Sequence, residues 1–388
     1  MKLERVLVVG GGMAGLHTVR LLREKGFQGT VTFLGAEPHA PDRPPLSKAV
    51  LKYRGEDAVD DVAELAFAFD FEDAGVTLRF GERAVGWAPG TVITSGGDRL
   101  PYDALVVATG SEPVPLGFGG TLRTYEDALL LRDTIGAGKR LAIVGAGWIG
   151  AEVATAARAA DCQVTVHEAR ERPLAALFPA AIGEAMAGWY RQAGVALRCS
   201  DPVTGAPDDA DHVLVAVGAR PDTRWLGAAF HRASDGSLLA SEHLETNVPG
   251  VYAVGDVAAY RSLRYGGEHV RVEHWDNALR GPDTVVANVL EGVGAEVFDP
   301  VPYFWSEQFG RMVQYVGRHG PRPDGSARRA GRPELVGGVA RPAAPAHRRA
   351  GRRPARDLAQ GRRLVAAGTV LDAHRVADVG VPLTSAAV

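Results

Sequence analysis

Two glycine runs of the form G-x-G-x-x-G carry the first chemical signal in this chain of 388 residues. Gly10-Gly11-Gly12-Met13-Ala14-Gly15 follows the apolar run Val6-Leu7-Val8-Val9, and Gly145-Ala146-Gly147-Trp148-Ile149-Gly150 follows Leu141-Ala142-Ile143-Val144. At a strand-to-helix turn the first glycine permits the tight bend. The second admits a pyrophosphate to the backbone, and the third lets helix and strand pack closely. The phosphates then meet free N–H groups and the positive end of a helix. One such run is weak evidence. Two of them, 135 residues apart, point to two nucleotides held at once, which electron traffic between a flavin and a nicotinamide requires.

Residues downstream of each run suit the same ligands. Glu37 lies 22 residues beyond Gly15, and Glu168 lies 18 beyond Gly150; both sit near the ~20-residue offset at which an acid reaches a ribose hydroxyl. Glu168 can accept from both ribose hydroxyls of NAD and would repel a 2′-phosphate, so NADH is preferred over NADPH. Arg170 and Arg172 lie close by and could tolerate the phosphate. Gly255-Asp256 offers a carboxylate to a sugar or polyol hydroxyl, a pattern that turn chemistry alone also produces. Arg43-Pro44-Pro45-Leu46-Ser47-Lys48 sets two cations about a fixed backbone, and Leu46-Ser47-Lys48 could begin a helix; read alone, the run is a rigid turn with solvated charges. The two cysteines, Cys162 and Cys199, form no C-x-x-C pair. That argues against a redox dithiol and against an iron–sulfur or zinc site in this chain, so no resident metal is expected. Both cysteines read as small buried hydrophobes.

Apolar patterning supplies the elements that position these groups. In a first unit, from residue 4 to about 115, the strand before Gly10 leads into a helix over about 14–25. Leu16, Val19, Leu21 and Leu22 lie near one face of it, and Gly26 stops it. A second strand covers 30–34, and a buried strand over 105–110 ends in Thr109 and Gly110. A second unit, about 116–240, repeats the plan, with a helix over about 151–160 and a strand over 164–167 ended by Glu168. Its closing strand, 213–218, ends in Gly218 and echoes 106–110. A third stretch, 241–318, opens on the strand that delivers Asp256 and carries Glu273-His274-Trp275 and Tyr303-Phe304-Trp305-Ser306. The class is α/β, with two Rossmann-like three-layer nucleotide-binding domains.

A chain of this length with 46% apolar residues is expected to form two or three domains. It enters a strand within a few residues, with no basic-then-apolar leader. No run approaches the ~20 apolar residues of a membrane helix. The expectation is a cytoplasmic protein that binds neither nucleic acid nor membrane. The net charge of −3 is unevenly spread. Residues 321–355 hold nine Arg, eight Ala, six Pro and five Gly against two acids, a net +7 that leaves −10 for the remainder. The stretch reads as a solvated, poorly ordered loop or as a basic surface for an acidic partner. A helical pattern resumes at Asp357 through Leu358, Arg362, Leu364 and Val365.

Taken in order, these motifs resemble the FAD-dependent NAD(P)H–ferredoxin reductases of bacterial oxygenase systems, the putidaredoxin reductase and biphenyl-dioxygenase ferredoxin reductase type, with a glutathione-reductase-like fold. The resemblance runs from Arg5 to about Arg318. It rests on the first glycine run, Arg43 to Lys48, Ala108-Thr109-Gly110, Gly145 to Glu152, Val217-Gly218-Ala219-Arg220-Pro221, Gly255-Asp256, Glu273 to Ala278 and Tyr303 to Gln308. It implies an FAD-binding domain over 1–115 and 241–318, an NAD(P)H-binding domain over 116–240 and a small C-terminal α+β domain over 319–388. Gly10, Gly12 and Gly15 would cradle the FAD pyrophosphate, with Glu37 on the adenosine ribose and Arg43, Thr109 and Gly110 beside the cofactor. Asp256 would bond the ribityl chain, and Trp275 and Trp305 would border the isoalloxazine unless they are ordinary core. Gly145, Gly147, Gly150, Glu168 and Gly218 would hold the nicotinamide dinucleotide. Lys48 would reach the flavin near N5, paired with Glu152. A cation there stabilises reduced flavin, and the carboxylate keeps the ammonium charged and oriented.

The reaction so implied is hydride transfer from NADH to FAD across a near-attack distance of about 3–3.5 Å, then single electrons to a [2Fe–2S] ferredoxin or similar carrier met in a small, transient encounter. A monomer or homodimer is implied. The alternatives are an NADH oxidase on the same fold and a catalytically impaired FAD-binding paralogue. No cysteine precedes Cys162, which argues against the cysteine-using oxidases. The pattern departs from the family over 321–355, where the apolar alternation of strands is missing, and returns at Arg356-Asp357-Leu358 and Val381-Pro382-Leu383. Loss and recovery of resemblance in Arg, Ala, Pro and Gly is what a local reading-frame slip in a GC-rich gene would give. It puts the completeness of the C-terminal domain in question.

Overall fold

The computed structural model describes residues 3–52, 59–178 and 180–317, together with 360, 363, 364 and 385. The stretch 321–355, most of the helical pattern from Asp357 and nearly all of the C-terminal domain expected over 319–388 lie outside the described residues. Two compact units share the chain. The first takes Met1–Pro44, Asp60–Glu112 and Ala219–Pro300; the second takes Pro45–Val59, Pro113–Gly218 and the chain from Val301 onward.

A parallel five-stranded sheet organises the first unit, in the order Val251–Ala253, Ala104–Val107, Arg5–Val9, Thr30–Gly35, Val76–Phe80. Its central strands are continuous apolar runs because both faces are covered. Alternate side chains divide between two cores, as the period of two requires. Val6, Val8 and Val106 pack with Leu16, Val19 and Leu22 of the Met13–Glu24 helix and with Val285 and Val286 of the Trp275–Glu291 helix. Leu7, Val9, Leu105 and Val107 face Trp225, Leu226 and Phe230, with Trp87 from an antiparallel sheet of Ala84–Ala88, Thr91–Thr94 and Arg99–Pro101.

The second unit has a parallel four-stranded sheet in the order Ala196–Cys199, Gln163–Glu168, Arg140–Val144, His212–Val215. The Trp148–Ala159 helix follows its central strand. An antiparallel hairpin, Tyr303–Gln308 with Arg311–Val316, belongs to the same unit.

The two units are copies of one plan down to single hydrogen bonds. Gly10 N–H donates to Leu34 O at 2.8 Å, and Gly145 N–H to His167 O at 2.7 Å. Ala108 N–H meets Val9 O, and Ala216 N–H meets Val144 O, both at 2.8 Å. Arg5, heading one central strand, grips Asp103 through its backbone N–H at 2.8 Å and its guanidinium at 2.7 Å; Arg140 grips Asp211 in the same way at 2.9 and 2.7 Å. The guanidinium holds the Asp103 carboxyl down to about 2 and lowers that of Asp211.

Strands and helices fall close to the sequence reading, with differences that have local causes. The second glycine helix begins at Trp148 rather than 151, because Gly147 is already its N-cap. The closing strands stop at Val107 and Val215, short of Gly110 and Gly218, whose φ of +68° and +116° turns the chain away. Pro44–Ser47 is a single 3-10 turn instead of a helix start. Residues 219–240 pack with the first unit, because Trp225, Leu226 and Phe230 fill its core. Residues 45–52 and 301–317 pack with the second, where Ser47, Lys48 and Ser306 bond Glu152. No described helix is long and apolar enough to cross a membrane.

Candidate nucleotide sites and a part-buried Lys–Glu pair

Both glycine runs form the turn that phosphate binding needs. A Cβ on Gly10 would stand 2.2 Å from Ala108 O, and one on Gly145 would stand 2.4 Å from Ala216 O. At the third glycines a Cβ would meet the first glycine's carbonyl, at 2.0 Å for Gly15 and 2.1 Å for Gly150. The helices that follow are left open at their N-termini. Gly12 and Gly147 cap them with no side-chain hydrogen bond, and neither first turn carries an acid. The Tyr125–Thr134 helix contrasts with them: Thr124 and Asp127 close a capping box and Glu126 adds a second acid. Two helix ends therefore keep backbone N–H groups and positive potential available for an anion.

In the first unit, the expected cofactor residues gather round Gly10–Gly15. Arg43 lies over the loop, its Nη1 only 2.8 Å from where a Cβ on Gly12 would be, and its Nη2 donates to Glu37 Oε1 at 2.5 Å. The Arg43 Nε is buried and has no hydrogen-bond partner among the described residues. An orphaned guanidinium donor above a bare loop fits an FAD pyrophosphate, with Glu37 at the ribose end. Thr109 donates to Asp222 O at 2.7 Å, which fixes the turn into Gly110. Gly255, at φ +77°, packs 3.2 Å from the Ala14 Cβ and so brings Asp256 to the open end of the Met13–Glu24 helix. Ser111 Oγ donates to Asp256 Oδ2 at 3.3 Å. Trp275 starts its helix and donates its indole N–H to Asp42 Oδ1 at 2.9 Å.

In the second unit, Glu168 is tied to the glycine run it serves. Its Oε2 accepts the Ala146 N–H at 2.8 Å and its Oε1 the Arg170 N–H at 2.9 Å. A carboxylate has about four lone-pair sites, so ribose hydroxyls can still be received. Cys199 stands beside Glu168 in the sheet register; burial, with Glu168 and Glu171 nearby, pushes its thiol up.

Lys48 and Glu152 also belong to this unit and form the pair that the resemblance implied, Nζ to Oε2 at 2.6 Å. The Glu152 side chain is 6% exposed and that of Lys48 26%. Two further donors reach the carboxylate: Ser47 Oγ at 2.5 Å on Oε2 and Ser306 Oγ at 2.7 Å on Oε1. Trp305 points to the other face of its strand from Ser306, stacked on Tyr303 with ring centroids 5.9 Å apart. Sequence reasoning gave no role to Ser47, Ser306 or Asp42. Only the alternation of 304, 306 and 308 in an aromatic strand hinted that Ser306 faces inward.

A model of the pyridine nucleotide-disulphide oxidoreductase family matches residues 4–281, and a reductase C-terminal model matches residues 303–387. The ferredoxin–NAD(+) reductase component of the p-cumate 2,3-dioxygenase system of Pseudomonas putida is 33% identical over 419 aligned residues, covering 100% of this chain and 99% of the relative. Among solved structures, the ferredoxin reductase for the CYP199A2 system from Rhodopseudomonas palustris superposes with a TM-score of 0.82 at 28% identity, covering 99% of this chain and 100% of that one. The covalent putidaredoxin reductase–putidaredoxin complex gives 0.81 at 26% identity, covering 98% and 97%.

Proposed function

Because the chain belongs to the pyridine nucleotide-disulphide oxidoreductase family, we propose that it is the FAD-dependent NADH–ferredoxin reductase of an oxygenase or cytochrome P450 system. Its relative in the p-cumate 2,3-dioxygenase system is named as the ferredoxin–NAD(+) reductase component, and the match extends over both chains almost entirely. The observation that carries the reading to this chain is the doubled open loop: two uncapped helix ends, each behind a glycine turn and each with an acid near the ribose offset.

Bound FAD would supply the conversion between two-electron hydride acceptance from NADH and single-electron release to a [2Fe–2S] ferredoxin. The first unit is the proposed FAD-binding domain. Gly10, Gly12, Gly15 and Arg43 receive the pyrophosphate, Glu37 the adenosine ribose and Asp256 the ribityl hydroxyls, with Thr109 and Gly110 shaping the turn and Trp275 bordering the ring. The nicotinamide dinucleotide goes to Gly145, Gly147, Gly150, Glu168 and Gly218 of the second unit. Lys48 is the proposed cation for the reduced flavin, and Glu152 holds it. Trp305 is the proposed second aromatic border. A cytoplasmic setting supplies NADH, and the free thiols of Cys162 and Cys199 suit a reducing compartment.

Rapid mixing with NADH under argon tests the reading. Fast bleaching of the flavin is expected, then fast reoxidation by added ferredoxin and slow reoxidation by air. Fast reoxidation by air alone would favour an NADH oxidase, and absence of bleaching would sink the enzyme reading.

A further inference from the structure

We propose that Ser306 is a positioning residue for the Lys48–Glu152 pair, fixing the Glu152 carboxylate and through it the place of the Lys48 ammonium. The inference rests on the function proposed above. A glutamate's last torsion is broad and roughly two-fold. A carboxylate held through one oxygen alone can swing, and any lysine bonded to it swings as well. Here the two oxygens are held from different segments. Ser47 and Lys48 take Oε2 at 2.5 and 2.6 Å, and Ser306 takes Oε1 at 2.7 Å.

The bond from Ser306 has a fixed direction. Gln308 Nε2 donates to Ser306 Oγ at 3.1 Å, so the serine's own hydrogen turns to Glu152. Ser306 and Gln308 are both 0% exposed, so water does not compete for these bonds. Their strand is also held against the Trp148–Ala159 helix on both sides of the bond. Phe304 packs on Trp148 with ring centroids 4.3 Å apart, and Phe309 N–H donates to Thr155 Oγ1 at 2.9 Å. Residues 148, 152 and 155 lie along one helix face at the i, i+4, i+7 spacing. The hydroxyl at 306 thus has one place to be. Packing alone would be served by a small apolar side chain; a buried hydroxyl is retained here with a bond to make.

The test uses the FAD-loaded protein with Ser306→Ala and Ser306→Thr, each alone and in the Lys48→Ala background. Three quantities are read: the rate of flavin reduction by NADH, the flavin midpoint potential, and the acetylation rate of the Lys48 amine by mass spectrometry. Losing one hydrogen bond to a charged group is worth about tenfold or more. Ser306→Ala is therefore expected to slow reduction by about tenfold with NADH affinity unchanged, to shift the potential negative, and to speed Lys48 acetylation severalfold. Ser306→Thr restores all three. In the Lys48→Ala background, Ser306→Ala adds no further slowing. An equal slowing in that background, or unchanged Lys48 acetylation, overturns the proposal. If NADH fails to bleach the wild-type flavin, the reductase reading falls, and the acetylation contrast alone decides the role of Ser306.

Discussion

Replacing Glu168 by alanine separates the loop contact that its carboxylate makes from the ribose contact proposed for it. Its Oε2 receives the N–H of Ala146, a fully buried residue inside the glycine run. Baring that N–H loosens the loop by about 1–3 kcal/mol, and NADH and NADPH feel this loss alike. The ribose contact discriminates between them. A charge-assisted bond of about 1.5–3 kcal/mol is lost for NADH alone. A 2′-phosphate carries about −1.5 to −2 charges and is repelled by roughly 1 kcal/mol per charge pair at about 4 Å in a water-like medium, so its relief returns about 2 kcal/mol to NADPH. The preference should move by about 3–5 kcal/mol, a hundredfold or more at ~1.4 kcal/mol per tenfold. Flavin bleaching after anaerobic rapid mixing, followed against concentration of each coenzyme, reads both affinities. NADH should weaken by at least about a hundredfold while NADPH stays near its starting value. Glu168→Gln keeps one acceptor oxygen for the loop but loses the charge, so NADPH should tighten outright. Equal weakening of both coenzymes would refute the reasoning and place specificity elsewhere.

Other substitutions probe the remaining roles. Lys48→Ala should slow flavin reduction and lower the midpoint potential while FAD stays bound; unchanged reduction kinetics would remove Lys48 from the scheme. Arg43→Ala should speed FAD loss on dialysis at least tenfold, since a charge-assisted bond to phosphate is worth about 1.5–3 kcal/mol; full retention would show that the guanidinium over Gly12 does not hold the cofactor. Asp103 has its folded carboxyl pulled from the ordinary 3.8 to about 2 by Arg5. Its contribution to stability is therefore present above about pH 4 and disappears as pH falls towards about 2. Thermal unfolding of Asp103→Asn should lie below wild type at neutral pH and converge with it near the acid end; parallel curves throughout would contradict this. Resequencing the coding DNA near codons 320 and 355 should reveal compensating indels, and an uninterrupted frame would rule out a slip.

The features legible in the sequence are those that lie within one short segment. The glycine runs and the apolar strands behind them each sit inside a few consecutive residues, and the strands and turns form where that spacing placed them. Continuous runs such as Leu105-Val106-Val107 announce a strand covered on both faces. What stayed hidden joins distant segments. Ser306 and Glu152 are 154 positions apart, and Trp275 and Asp42 are 233 apart. No local pattern distinguishes a serine aimed at a carboxylate from one turned to solvent. The same holds for the 219–240 segment: Trp225, Leu226 and Phe230 are apolar enough for any core, and only the tertiary packing shows that they fill the one beneath Leu105 and Val107.

The two copies of the loop differ in one respect that bears on their tenants. Above Gly12 stands the Arg43 guanidinium, locked by Glu37 and with a buried donor unspent. At the matching position of the second copy, a Cβ on Gly147 would, among the described residues, meet nothing nearer than Ala216 O at 3.9 Å, and Glu168 is held there by the backbone N–H groups of Ala146 and Arg170. A bidentate cation adds electrostatic affinity that lengthens residence on phosphate. A loop relying on helix N–H groups alone lets a dinucleotide come and go. On the proposed assignment, one plan used twice would thereby suit the first loop to a resident cofactor and the second to an exchanging substrate. An arginine over Gly147 should turn the second into a trap: Kd for NADH falls, and turnover falls with it as release of NAD becomes limiting.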